Sequence, residues 1–235
     1  MTAAGGLISL LVGTVLLRLT LTGTYGRYVR LGMGPWLAVA GVAVIVLGSV
    51  TLMHALRHAH PADHAHHVDA RDHRRRGGGD RVGWLLLAPV AALLLVAPPT
   101  LGSYGVGRGA EVDIRSGGGV LDPLTPGAEP VPMTLLEFGQ RAFDRGGASF
   151  NGAAIQLTGF VAGAEEDGFQ LARYQIACCA ADAAPVVLRV VGVHGGPARD
   201  QWVTVAGVFQ PGGDEVPELA ATTVVEIPAP DDPYE

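Results

Sequence analysis

Pro35–Met53 reads PWLAVAGVAVIVLGSVTLM, nineteen residues without a charge. As a helix it covers about 30 Å, the thickness of a bilayer's hydrocarbon core. Two further apolar stretches flank it, AAGGLISLLVGTVLLRLTLTG before and VGWLLLAPVAALLLVAPP after. Together they predict an α-helical membrane half of three spans, near 4–24, 35–53 and 82–99, with a connection over 54–81. A cleaved signal peptide is a poor account of the first stretch, which lacks a basic leader and is too long for the usual apolar core.

Composition agrees with a chain of two natures. It is 49% hydrophobic and 16% charged over 235 residues, too apolar for an ordinary soluble domain and too polar for spans alone. The formal charge of -6 excludes a nucleic-acid binder, which needs a clustered basic face. The bilayer is the first expected partner. Ser9, Thr14, Thr20, Ser49 and Thr51 are scattered and line no obvious pathway, so three spans make a poor transporter by themselves. Gly5, Gly6, Gly13, Gly41, Ala43 and Gly48 permit close helix approach within the chain or with a partner. Arg18 lies inside the first span. It either snorkels to the interface near Tyr25, Arg27 and Tyr28, or meets an acidic or polar group of another membrane protein.

Arginine placement sets the expected orientation. The second connection carries Arg57, Arg71, Arg74, Arg75, Arg76 and Arg81, against Arg27 and Arg30 in the first connection and Arg108 and Arg115 after the third span. The positive-inside rule puts that connection and the amino terminus in the cytoplasm of a multi-pass plasma-membrane protein, with the carboxyl-terminal half outside.

The same connection holds seven of the eight histidines. His54 and His58 are one helical turn apart, and His60, His64, His66 and His67 follow, with His73 further on. Mobile imidazoles can assemble a site for zinc, copper or nickel, which makes these residues candidate metal ligands. A solvated loop with histidine as polar filler is the competing reading.

Beyond residue 100 the Gly, Pro and Ser content of 101–133 predicts a linker. A β-rich soluble domain is expected over 134–235. MTLLEFGQRAF carries Leu135, Leu136, Phe138 and Phe143 at near-helical spacing, with Thr134 placed as N-cap. Five strand-like runs follow: AIQLTGFVAG, GFQLARYQIAC, APVVLRVVG, WVTVAGVFQ and ELAATTVVEI. They suggest a small OB-like barrel with its helix moved to the front, because the link between the third and fourth runs is too short to hold one.

Both cysteines, Cys178 and Cys179, are adjacent. On an extended strand their side chains point to opposite faces, so a shared role requires the chain to turn there. Ala180–Pro185 supplies turn residues. Four readings stand. A corner can gather Cys178, Cys179 and Asp182, with His194 as a fourth group, around zinc or another transition metal. The pair can form a vicinal disulfide, serve thiol exchange with only Arg173 nearby to lower a thiol pKa, or simply pack. No nucleophile elbow, phosphate loop or H-E-x-x-H is present, and a Cys–His194 couple lacks an orienting third residue, so no enzyme is expected.

TGFV (158–161), ARYQIACCAADAAPV (172–186), WVTVAGVF (202–209) and EIPAPDDPYE (226–235) resemble the YcgQ-like family of bacterial permease subunits, over most of the soluble half. The resemblance implies a multi-span permease as partner and a theme of metal homeostasis, zinc in particular. The expected function is therefore an accessory subunit of a membrane permease linked to transition-metal transport. The alternatives are a stand-alone envelope sensor of metal or redox state and a structural anchor with a disulfide-stapled domain.

Overall fold

The structure, a computed structural model, describes residues 3–57, 101–108, 112–117, 121–213 and 215–235. The expected third span at 82–99 and the candidate ligands His58, His60, His64, His66 and His67 lie outside the described residues. The chain divides into two compact units, one of Met1–Tyr25 and Leu31–Pro99, the other of Gly26–Arg30 and Thr100–Glu235.

The first unit contains α1 (Ala3–Leu21) and α2 (Gly34–Arg57). Leu31–Arg57 is long and apolar enough to cross a membrane, with a mean hydropathy of 2.3 in its most apolar window. The apolar part of α1, Gly5–Leu21, is shorter. Where three spans were expected, one helix among the described residues meets the length and composition needed. The first helix stops before residue 24 because Gly23 takes a left-handed φ of 72°, a conformation that closes a helix. Arg18 falls in the last turn of α1 and is exposed.

The helices run antiparallel along a seam of glycines. The buried positions of α2 are Gly34, Gly41 and Gly48, seven apart; Gly41 and Gly48 face Gly13 and Gly6 of α1, and Gly34 lies against the Tyr25 ring. A Cβ on Gly13 would stand 2.7 Å from Ile45 Cγ1 and 2.9 Å from the Gly41 carbonyl oxygen, so even alanine would push the backbones apart. Each hydroxyl in the pair returns to its own helix: Ser9 to the Gly5 carbonyl, Thr14 to Leu10, Thr20 to Leu16, Ser49 to Ile45 and Thr51 to Leu47. That satisfies them locally and leaves no polar row between the helices. The outward face of α2 is strongly apolar, with Trp36, Val39, Val46, Leu47, Val50 and Leu56 exposed.

The second unit is mainly β. Its strands are β1 (Val131–Pro132), β2 (Ile155–Glu165), β3 (Gly168–Gln175), β4 (Ala184–Val191), β5 (Trp202–Gln210) and β6 (Glu218–Ile227), in the order β1-β2-β3-β4-β6-β5. Because β2 also pairs with β5, strands β2 to β6 form a closed circuit. The pairing of β4 with β6 is parallel, and the other pairings in the circuit are antiparallel. Alternate residues point inward, among them Ile155, Leu157, Phe169, Leu171, Leu188, Val203, Val205 and Leu219, and all of these are fully buried. Its one α-helix among the described residues, α3 (Leu135–Phe143), starts at Thr134, whose hydroxyl accepts the Glu137 N–H. Its Leu135 and Phe138 join Phe150 in the interior cluster, with the Phe138 and Phe150 rings 4.9 Å apart.

The stretch expected as a linker, 101–133, is instead part of this unit wherever it is described. Leu101 and Val106 pack on a second apolar cluster around Phe160, Tyr174, Trp202 and Tyr234. Val112, Ile114, Leu124 and Val131 pack on the interior cluster. The Ser103 N–H and hydroxyl are held by Asp200 and Arg199. Val131–Pro132 adds a short parallel strand to β2. Aperiodic apolar residues among glycines and prolines look like linker in one dimension, yet each finds its own gap on a finished sheet.

Candidate functional site

β3 ends at Gln175, and the chain bends at Ala177 and Cys178 before a single helical turn, Ala180–Asp182, leads into β4. The Asp182 carboxylate organises this corner. It accepts N–H groups from Ala177 at 2.8 Å, Cys178 at 3.0 Å and Cys179 at 3.2 Å. It also accepts the Cys178 S–H at 2.9 Å. The Asp182 N–H donates in turn to the Cys179 carbonyl at 3.0 Å. The bend puts the Cys178 and Cys179 sulfurs 3.7 Å apart, both as free thiols.

Charge follows from those contacts. The Cys178 S–H bond, then the backbone N–H bonds, hold the Asp182 carboxyl down at about 2. The same carboxylate, followed by the Cys179 sulfur, pushes the Cys178 thiol up to about 11. A thiol protonated at neutral pH is a poor nucleophile, so this environment works against the thiol-exchange reading. A soft cation is a different matter, since it replaces the proton directly and gains a carboxylate that already lies against the sulfur.

The corner is clamped from its other side by Gly26–Arg30, the segment between α1 and α2 in sequence and a member of the second unit. Val29 forms an antiparallel bridge with Cys179. The Ala180 N–H donates to the Tyr28 carbonyl at 2.8 Å, and the Arg30 N–H donates to the Cys178 carbonyl at 3.2 Å. The Tyr234 hydroxyl donates to the Arg27 carbonyl at 2.7 Å.

The tail fixes the end of β3 that leads into the corner. Glu235 exchanges backbone bonds with Tyr174 and Ile176. The Glu235 side-chain carboxylate accepts the Leu135 and Leu136 N–H groups at the start of α3, at 3.0 and 3.4 Å. Arg173 donates to the Asp232 and Tyr234 carbonyls at 2.7 and 3.2 Å. The only basic group that sequence offered near the thiols is therefore committed to holding the tail.

Cys178, Cys179 and Asp182 come together, with one donor atom of each lying within 4.8 Å of the others. His194 does not join them. β3 and β4 pair from Gly168↔Val191 to Gln175↔Ala184, with the cysteines at one end, whereas His194 follows the other end. That places it about 20 Å away along the strands. There its Nδ1 faces Asp167 at 3.4 Å. Twelve residues separate Asp182 from His194 in sequence, and a whole strand fills that gap. His54 sits in the last turn of α2, in the first unit. The role of Val29 and Arg30 at the corner had no local signal, because the bridge joins positions about 150 residues apart.

A separate hollow of about 430 Å³ lies in the second unit, lined by Arg115, Phe143, Phe209, Pro217 and Glu218 among others, and by none of the corner residues. Its charged groups are already engaged, Arg115 over the Phe143 ring and Glu218 with Arg189.

Residues 142–235 match the DUF1980 C-terminal domain. The match runs from the end of α3 through the whole closed sheet, the cysteine corner and the tail. At the level of this domain it agrees with the resemblance drawn from the cysteine segment. No curated protein matches the chain.

Proposed function

We propose that this protein is a multi-pass accessory subunit of a membrane permease, and that its OB-like β domain binds a transition-metal ion of the zinc class at Cys178, Cys179 and Asp182. The observation that carries the metal reading is the cluster itself, two thiols and a carboxylate gathered within 4.8 Å on a turn. Thiolate and carboxylate are established zinc donors. The sheet order, with a parallel β4–β6 pairing inside an otherwise antiparallel closed circuit, supports the OB-like reading. The exposed apolar face of α2 and the locally satisfied hydroxyls support helices that sit among lipids or partner helices rather than lining a path. In this reading the histidine-rich connection collects ions on the cytoplasmic side, the domain stands outside, and the chain binds and delivers ions without turnover.

Cobalt(II) separates the thiol site from the histidines, because only thiolate ligands give an intense near-ultraviolet charge-transfer band. Full-length protein in detergent is expected to show that band on titration with Co²⁺, and the Cys178→Ser, Cys179→Ser double variant is expected to lose it. A wild-type protein that binds Co²⁺ without the band would remove the corner as a metal site. The partner is tested by gentle extraction of tagged protein from its native membrane, with a multi-span permease expected at stoichiometric level. Recovery of the chain alone, under conditions that preserve other membrane complexes, would favour a self-sufficient sensor.

A further inference from the structure

We infer that the cysteine corner holds its ion with three protein donors and leaves one coordination position open, which an imidazole or thiolate from a partner protein fills directly. The inference rests on the metal reading of the corner and specifies how that site exchanges its ion.

Geometry selects the coordination. Two thiolates on a tetrahedral ion with bonds of about 2.3 Å lie about 3.8 Å apart, whereas two on opposite sides of a linear ion lie about 4.6 Å apart. The sulfurs stand at 3.7 Å. The corner therefore already has a tetrahedral bite, and it is held there from two directions. Asp182 takes three successive N–H groups on one flank. Tyr28 and Arg30 bond the Ala180 N–H and the Cys178 carbonyl on the other. Side chains on a turn fixed in this way need little rearrangement when sulfur exchanges its proton for an ion. Each thiol releases its proton to the buffer as its sulfur binds, and the carboxylate adds no proton to the balance.

Donor count selects the use. Among the described residues the cluster has three members, and His194 stands at the far end of the strand pair. Structural zinc sites close with four protein ligands, while sites that bind an exchangeable ligand keep three. Cys178 and Asp182 are exposed, so another molecule can reach an ion held there. An incoming imidazole or thiolate can then bind the ion before the first sulfur leaves. Transfer through a shared intermediate avoids releasing a bare ion into water.

The test adds imidazole to Co²⁺-loaded full-length protein in detergent, recorded as the difference from the Cys178→Ser, Cys179→Ser double variant so that histidine-bound cobalt cancels. The visible ligand-field bands are expected to shift and saturate at one imidazole per thiolate-bound cobalt, with the charge-transfer band retained at the intensity of two thiolates. A difference spectrum indifferent to saturating imidazole means that the fourth position is already closed, and it overturns the inference while leaving the metal site standing. Loss of the charge-transfer band on adding imidazole shows displacement rather than a shared complex and overturns it as well. Absence of that band before imidazole is added overturns the metal reading together with this one.

Discussion

Tyr234→Ala is expected to lower the Tm of the second unit by on the order of 10 °C, the equivalent of about 3–4 kcal/mol. Tyr234 is 4% exposed and sits in the cluster of Phe160, Tyr174 and Trp202, so truncation empties a ring-sized space that the neighbours cannot refill. The same change strips the hydroxyl bond to the Arg27 carbonyl. Tyr234→Phe separates the two contributions. It keeps the ring and loses only that bond, at a cost of about 1 kcal/mol, and it should raise hydrogen exchange in residues 26–30 more than elsewhere. The comparison is made on full-length protein in detergent by thermal unfolding followed through aromatic fluorescence. Equal Tm values for wild type and Tyr234→Ala would mean that the tail is not part of the folded unit.

Glu235 makes the stability that the tail contributes depend on pH. Burial raises its side-chain pKa, against the opposing pull of the Leu135 N–H, Arg173 and the Leu136 N–H. The folded chain then binds this proton more tightly than the unfolded chain. Its contribution to stability is complete below the ordinary glutamate pKa of about 4.3 and is lost as pH rises through the folded value. Lowering the pH toward about 4 should therefore shift the stability difference between wild type and Glu235→Gln in favour of wild type.

How far the sequence could be read differs between elements for physical reasons. The five long strands were legible because one-face burial imposes a two-residue alternation, as in Ile155 and Leu157 or Val203 and Val205. The helix was legible because Thr134 and the spacing of Leu135 and Phe138 follow local rules. What closes the sheet is not local. The pairing of Ile155–Phe160 with Trp202–Gly207 joins segments more than forty residues apart, and no pattern within either strand names its partner. The arm through Ser103 and the clamp by Val29 were hidden for the same reason. Their side chains are ordinary, and only the completed sheet gives them a place to bind. Of the candidate ligands in the second unit, Cys178, Cys179 and Asp182 share a turn, and His194, across a strand, does not join them. Short spacing was a good guide where a turn lay between the residues and a poor one where extended chain did.

Asp182→Asn should make the metal-free thiol of Cys178 react faster, by about tenfold at pH 8. At about 11 instead of 9.0, the thiol keeps roughly a hundredfold less thiolate than an unperturbed one. Removing the carboxylate charge restores most of that population. The restored thiolate is less basic and intrinsically slower by nearly tenfold, which leaves a net gain of about one order of magnitude. Iodoacetamide labelling of a Cys179→Ser background, with and without Asp182→Asn, reads the rate at one sulfur. The direction is informative because the same substitution should weaken Co²⁺ binding, replacing an anionic donor with a neutral amide that keeps a single oxygen for the N–H groups of the turn. A thiol that becomes more reactive while the site loses its ion is what a carboxylate serving both turn and metal requires. A rate that stays level or falls would show that Asp182 does not govern the Cys178 thiol. Acid provides the complementary check: with its carboxyl held at about 2, Asp182 contributes stability above its unfolded pKa of about 3.9. That contribution is lost as pH falls toward 2, below the range in which the Glu235 contribution changes.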